Sequence, residues 1–257
     1  MEEASWKIVR KDWESDFFKK EIFNLNCKPS DFTDAELKNE IKSIPFDILE
    51  YNLETSKIDY SSILGQMGFL LVDSRISFIT QIKQSDKGLY NKPDDVIIRL
   101  FNSKDKESIL KLTNEFLENS KTFKSRYTNR YFFEKAVAQK YFLKWIFNSI
   151  GDKNSIIAVA EHNQNVIGYF IYQHRGQHLG LSLYKGILCS ITKNFQGKKL
   201  HLILQNFLFQ NFKEDTFYID NTTQLSNIPI LKNHIRSKRN LHSSFLTFML
   251  KKEDFKI

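Results

Sequence analysis

Gly186-Ile187-Leu188-Cys189-Ser190-Ile191, followed by Thr192-Lys193-Asn194-Phe195-Gln196-Gly197-Lys198-Lys199 and then Leu200-His201, reads as an apolar strand, a basic turn and the opening of a helix. The helix carries Leu200, Ile203, Leu204, Phe207 and Leu208 on one side, at the spacing of a core-facing surface. A solvated basic turn before such a helix and a loop built to hold an anion share this pattern, and a motif this short does not separate them.

Working outward, the C-terminal side continues with the same alternation of elements. Phe217-Tyr218-Ile219 is a strand, Pro229 opens a short helix with Ile230, Leu231, His234 and Ile235, and Phe245 to Leu250 is a closing strand. On the N-terminal side, Ile156-Ile157-Ala158-Val159-Ala160 and Val166 to Ile171 flank the polar loop Glu161-His162-Asn163-Gln164-Asn165, the pattern of a hairpin. Two helices precede it. One starts near Asp105 with Ile109, Leu112, Phe116 and Leu117 at helical spacing; the other carries Val137, Tyr141 and Trp145 and stops at Gly151. Val96-Ile97-Ile98-Arg99-Leu100 is a strand before them.

Further back, Gln66 to Asp73 reads as a glycine turn at Gly68 entering a strand, which Arg75-Ile76-Ser77-Phe78-Ile79-Thr80 continues in apolar/polar alternation. The polar stretch Lys83 to Asp94, with Gly88 and Pro93, is the best linker. The reading is therefore an α/β protein of two units, a smaller one over residues 1–88 and a larger one over 89–257.

Composition narrows the class. With 257 residues, 41% hydrophobic and 26% charged, the chain is globular, and 23 phenylalanines predict a Phe-rich core. No stretch of about 18 apolar residues and no basic segment followed by an apolar one occurs, so neither a membrane span nor a signal peptide is expected, and the location expected is cytoplasmic. Cys27 and Cys189 are far apart and lack metal-ligand spacing, so reduced thiols and no metal site are expected. A net charge of +8 favours an anionic partner without choosing one, and the lysines are dispersed among acids, which also fits plain compositional bias.

The order strand, two helices, hairpin, strand, basic turn, helix, strand, helix, strand resembles the GNAT N-acetyltransferase fold, with its mixed central sheet. Four stretches carry a more specific likeness: Trp13-Glu14-Ser15-Asp16-Phe17-Phe18, Gly68 to Asp73, Ser125-Arg126-Tyr127 with Tyr141 and Trp145-Ile146, and Thr223-Gln224-Leu225-Ser226-Asn227. Together they resemble the dTDP-fucosamine acetyltransferase branch, whose members acetylate the amine of a nucleotide-linked aminosugar in surface-polysaccharide (lipopolysaccharide) biosynthesis. The resemblance implies that Trp13 to Phe18 belongs to a small α/β unit preceding the transferase domain. There the aromatics either stack on the ligand or pack in a core, and packing is the commoner fate.

The resemblance also implies site roles. Gln196, Gly197, Lys198, Lys199 and Leu200 match the loop whose backbone N–H groups hold the pyrophosphate of acetyl-CoA, although Lys199 and His201 stand at two positions that are usually small. Leu188, Cys189, Ser190 and Ile191 match the strand that splays from its neighbour and pairs with the pantetheine arm. Asn227 matches an Asn that bonds the same arm, and it also suits a helix cap; the two roles can coexist. Arg126, Tyr127 and Tyr131 fall in the connection that covers the acceptor. His234 aligns with the family's general-acid tyrosine; an imidazole with an unperturbed pKa near about 6.5 can donate a proton at neutral pH, and the competing reading is a histidine packed beside Ile230 and Leu231. Glu161 and His162, in a hairpin turn, read as solvated.

Two other functions stay in view. One is a GNAT-fold protein that uses a different acyl-CoA or acts as a non-catalytic binding module, motivated by the irregular loop from Gln196 to His201. The other is a basic nucleic-acid-binding protein, for which no recognised motif is present; no nucleic-acid partner is expected. A homodimer is left open.

Overall fold

The computed structural model describes residues 7–26, 33–86, 92–119 and 124–256. The expected boundary between residues 88 and 89, and Cys27, lie outside the described residues.

Hydrophobic strands that must pair, and helices with one apolar face, here assemble around a single ten-stranded mixed sheet in the order β1-β2-β3-β10-β4-β9-β8-β7-β6-β5. The first part of the chain supplies β1 (Lys7–Arg10), α1 (Asp12–Phe18), β2 (Ile22–Asn26), α2 (Asp34–Ser43), β3 (Ile48–Glu54), α3 (Ser61–Gln66) and β4 (Leu70–Lys83). The rest supplies β5 (Val96–Leu100), α4 (Lys106–Asn119), α5 (Lys135–Gly151), β6 (Ser155–His162), β7 (Asn165–His178), β8 (Leu181–Ile191), α6 (Leu200–Asn211), β9 (Thr216–Gln224), α7 (Ile228–Arg236) and β10 (Leu241–Lys251).

The two parts interleave. β4 lies between β9 and β10, and β10 lies between β3 and β4, all antiparallel. The division at residues 88/89 is therefore not a division of the sheet.

Local chemistry accounts for most boundaries. Thr33 caps α2 in a reciprocal pair with Glu36. The β6–β7 hairpin turns on Asn163 and Gln164, both in the left-handed region (φ 48° and 62°) that a tight two-residue turn requires. β7 and β8 run on well past the apolar runs read from the sequence and meet in a second tight turn at Leu179 and Gly180. Gly68, at φ +97°, brings its Cα so near the Asp254 carbonyl that a Cβ would stand 2.2 Å from that oxygen.

The core is rich in Phe as composition predicts. Leu204, Leu208, Phe209 and Phe212, in and just after α6, pack on Tyr172, Phe217 and Ile219. On the opposite side of the same strands, Ile109 and Leu112 of α4 and Ile146 of α5 meet Ile157, Tyr169 and Ile171. A third cluster joins Phe18 of α1 to Phe133, Tyr141 and Phe142. Among the described residues, no helix is long and apolar enough to cross a membrane.

Candidate active site

The sheet opens at one place. β8 pairs with β9 in parallel only from Leu183 opposite Tyr218 to Lys185 opposite Asp220. Beyond that, β8 follows β7 as far as Ile191 and β9 follows β4 as far as Gln224, so two strand edges diverge around a cleft. A register shift helps to turn β8 away: Tyr172 faces Gly186 and Ile171 faces Leu188, leaving Ile187 as an extra residue. At the fork, a Cβ on residue 186 would stand 2.3 Å from Asn221 Oδ1, so any side chain there would displace Asn221 where the strands part. Leu188, Cys189, Ser190 and Ile191, the segment matched to the splayed strand, line the cleft, which has a volume of about 2300 Å³. Burial pushes the Cys189 thiol up, so it stays protonated.

The basic turn leads the open edge of β8 to the start of α6. Gln196, Gly197, Lys199 and Leu200 line the cleft. Lys198 does not: its Nζ lies over the Phe195 ring at 4.6 Å from the centroid. Gly197 (φ 81°) and Lys199 (φ 61°) adopt left-handed backbone, and Lys199 becomes the N-cap, its carbonyl accepting from the Leu202 and Ile203 N–H groups. No side chain caps this helix, so the Leu200 and His201 N–H groups of its first turn stay available to a ligand. The two bulky residues at usually small positions are accommodated differently: Lys199 is exposed, while the His201 ring is buried 5.2 Å from Phe170.

α7 closes the inner side of the cleft. Asn227 occupies its N-cap position but makes no side-chain cap bond, and it lines the cleft. His234 also lines the cleft, but not as the unperturbed imidazole expected from the sequence. It is buried against Phe78, ring centroids 4.6 Å apart, and burial together with the Arg239 charge lowers its pKa to about 4. His201, 6.4 Å from His234, is lowered to about 3 by burial, His234 and Arg239, and its Nδ1 is buried without a partner. Both rings are neutral at pH 7. Beneath them a directed chain runs from Arg239, a pure donor, to Gln205 Oε1 (2.9 Å), from Gln205 Nε2 to the Tyr172 hydroxyl (2.6 Å), and from that hydroxyl to Asn221 Oδ1 (3.0 Å).

The cleft has a second, charged lobe toward β3, and here sequence and structure part. Arg126, expected to be free for the acceptor, is largely buried with its Nε 2.9 Å from Glu50 Oε2. Lys11 Nζ donates to the same carboxylate at 3.0 Å and to the Tyr127 hydroxyl at 2.7 Å, and that hydroxyl donates to Glu14 at 2.9 Å. Burial pushes the Glu50 carboxyl up, but Arg126 and Lys11 outweigh it and hold it at about 2. Arg126 and Tyr127 do line the lobe, but their polar groups are engaged in this network. Tyr131 is the clearest correction: half-exposed, it donates to Asp254 at 2.6 Å under Lys251 and lies off the cleft, because its turn faces the C-terminal end of β10.

This lobe also explains the aromatics around Glu14. α1 turns Trp13, Phe17 and Phe18 onto Tyr141, at 4.5, 5.4 and 5.0 Å between ring centroids, while Glu14 reaches the charge network. Packing is their principal role, although Trp13 also borders the cleft. Glu50, Asp73, Arg75 and Asn52 escaped sequence reasoning; the only local signal was Glu50, a carboxylate within the apolar run from Ile48 to Leu53. Glu161 and His162 lie far from this chemistry, paired to Arg99 at 2.7 Å and Asp95 at 2.8 Å.

No protein-family model matches the chain, and no curated protein is detectably similar in sequence. Solved structures are similar to it in fold. A conserved protein of unknown function from Staphylococcus epidermidis superposes with a TM-score of 0.64 at 13% identity, covering 91% of this chain and 86% of its own. A GCN5-related N-acetyltransferase from Sphaerobacter thermophilus gives 0.59 at 10% identity, over 96% and 76%. A tandem GNAT protein from the clavulanic acid biosynthesis pathway gives 0.56 at 9% identity, over 90% and 75%. None of these neighbours points to the dTDP-fucosamine branch. The forked mixed sheet with an uncapped helix at its opening is thus the fold of the GCN5-related N-acetyltransferases.

Proposed function

We propose that the protein is an N-acyltransferase that moves an acetyl group from acetyl-CoA to the amine of a small polar acceptor. One observation carries the reading: the free edge of β8 and the uncapped start of α6 open into one cleft. The residues fit the donor. From Gly186 to Ile191 the strand edge spans about 16 Å, enough to pair with an extended amide-rich arm. The first-turn N–H groups of α6, with Lys199 beside them, suit a pyrophosphate. Neither departure from small residues blocks this fit, since Lys199 is exposed and His201 is buried on Phe170.

Bound acetyl-CoA supplies the activated acyl carbonyl; the protein's residues bind and align the reactants. His234, neutral at pH 7, holds one N–H at the inner wall and hydrogen-bonds the leaving thiolate, which takes up through water the proton that the acceptor amine releases. Aromatic Trp13, Tyr141 and Trp145 and the polar face of the sheet receive the acceptor. A nucleotide-linked aminosugar is the acceptor proposed, supported by the resemblance of the four stretches and by the mixed aromatic and polar lining.

A ligand that binds only the native state raises the melting temperature, so saturating acetyl-CoA should do so. Mass-spectrometric screening of nucleotide aminosugars with acetyl-CoA then identifies the acceptor, and His234→Ala should lower turnover on it by roughly 10²–10⁴-fold with little change in coenzyme affinity. An unmoved melting temperature with acetyl-CoA, but a raised one with another acyl thioester, would reassign the donor.

A further inference from the structure

We infer that Arg75 is the anchor for an anionic group on the acceptor, placed about 10 Å along the sheet from the fork where the acyl group is received. This rests on the transferase reading and deepens it.

The floor of the charged lobe is one face of four strands. Asn52 on β3, Ser243 on β10, Arg75 and Ser77 on β4, and Thr222 and Gln224 on β9 all line it. Arg75 differs from the other cations there. Arg126 and Lys11 are held by Glu50, and Lys185 stands 3.5 Å from Asp220. Among the described residues, no carboxylate oxygen lies within ion-pair distance of Arg75. Its Nη2 donates to neutral partners, Asn52 Oδ1 at 2.5 Å and Thr247 Oγ1 at 3.2 Å, while its Nε is buried without an acceptor. Glu50 and Asp73 attract it from longer range, but Glu50 already answers two cations and Asp73 accepts from the Arg126 and Ser74 amides. A guanidinium fixed at one end by neutral groups and unanswered by a carboxylate is arranged to receive a phosphate or carboxylate from the ligand.

Position sets the ligand's length. Arg75 lies opposite Gln224, three residues along β9 from Asn221 at the fork, which at strand rise is about 10 Å. The acceptor therefore separates its reacting amine from its anion by several bonds, which rules out a simple α-amino acid bound in this way.

Direct binding tests this without turnover. Pyrophosphate and malonate are titrated calorimetrically into the protein with and without saturating CoA, the pair separating phosphoryl from carboxylate recognition. At least one should bind in both states, Arg75→Gln should weaken it at least tenfold, Arg75→Lys should recover part of the loss, and Lys199→Glu should leave binding to the CoA-saturated protein unchanged. CoA affinity reports whether the Arg75 variants are folded, and a cooperative urea unfolding transition reports it for Lys199→Glu. Acetylation of 6-aminohexyl phosphate and 8-aminooctanoate, each against 2-aminoethyl phosphate, β-alanine and hexylamine, should favour a long anionic amine, and Arg75→Gln should erase that preference. If neither anion binds, or Arg75→Gln binds as the wild type does, the anchor is refuted. Failure of acetyl-CoA to raise the melting temperature would instead remove the transferase reading and leave the anion result standing.

Discussion

Glu50→Gln removes the carboxylate on which Arg126 and Lys11 converge, and its expected effect can be worked out in two ways. Glu50 is 2% exposed, so solvent screens the ion pairs little. Its carboxyl sits at about 2 in the fold, against about 4.3 in an unfolded chain, and that gap corresponds to about 3 kcal/mol of native-state stability at neutral pH. Independently, removing one partner of a buried ion pair costs about 3–5 kcal/mol, because the remaining charge is left uncompensated. The two routes agree at about 3 kcal/mol, a fall in melting temperature of roughly 6–12 °C for a chain of this size. Because the folded pKa is depressed, this stability is fully present above about 4.3 and is lost as pH falls through about 2. Urea denaturation of wild type and variant at pH 7 and pH 3 should therefore show a difference that shrinks in acid. Combining Glu50→Gln with Arg126→Met should cost less than the sum of the single changes, since the second removes the charge stranded by the first. A variant within about 1 kcal/mol of wild type at pH 7, or a difference that does not change with pH, would refute the network as described.

Three further outcomes follow from the geometry. Gly186→Ala should lower stability by about 1–3 kcal/mol and weaken acetyl-CoA binding, since its Cβ would displace Asn221 from Tyr172; melting and titration of the same variant check both. Lys199→Glu should weaken acetyl-CoA binding and flatten its salt dependence, whereas Lys198→Glu should change affinity less than twofold, because only Lys199 lines the cleft. His201 and His234, lowered to about 3 and about 4, contribute stability that is present above about 6.5 and lost as pH falls through those values; the urea midpoint should drop between pH 7 and pH 4.5, and less so in His201→Gln.

What could be read from the chain was whatever local periodicity encodes. Ile109 and Leu112, or Leu200, Ile203 and Leu204, mark a buried helix face from within one segment, and α4, α5, α6 and the β6–β7 hairpin appear where those patterns put them. Leu188 to Ile191 was legible as a strand for the same reason, whereas its place beside a cleft came from the resemblance of the element order and not from its own pattern. Side-chain environments were not, because they depend on partners distant in sequence. Nothing near His234 tells that Phe78 covers it, and nothing near Arg126 tells that Glu50 consumes its charge. Arg75 escaped notice because its significance is the lack of a carboxylate partner, which has no sequence signature.

Two of these cases, Phe78 over His234 and Arg75, trace to the path of β4. As a 14-residue strand between β9 and β10, it joins the early part of the chain to the late one, setting Phe78 opposite Asn221 and Arg75 opposite Gln224. Strand neighbours about 4.8 Å apart place side chains of one face in contact, so a residue on β4 lies only one strand from the fork. One side of the cleft is built from consecutive elements, β8 and α6, whose interplay is local. The other is built from β3, β4, β9 and β10, whose adjacency arises only when segments some 150 residues apart pair. That asymmetry is why the sequence pointed to the strand and turn beside the fork but gave no sign of Arg75 or of the Glu50 that pairs with Arg126.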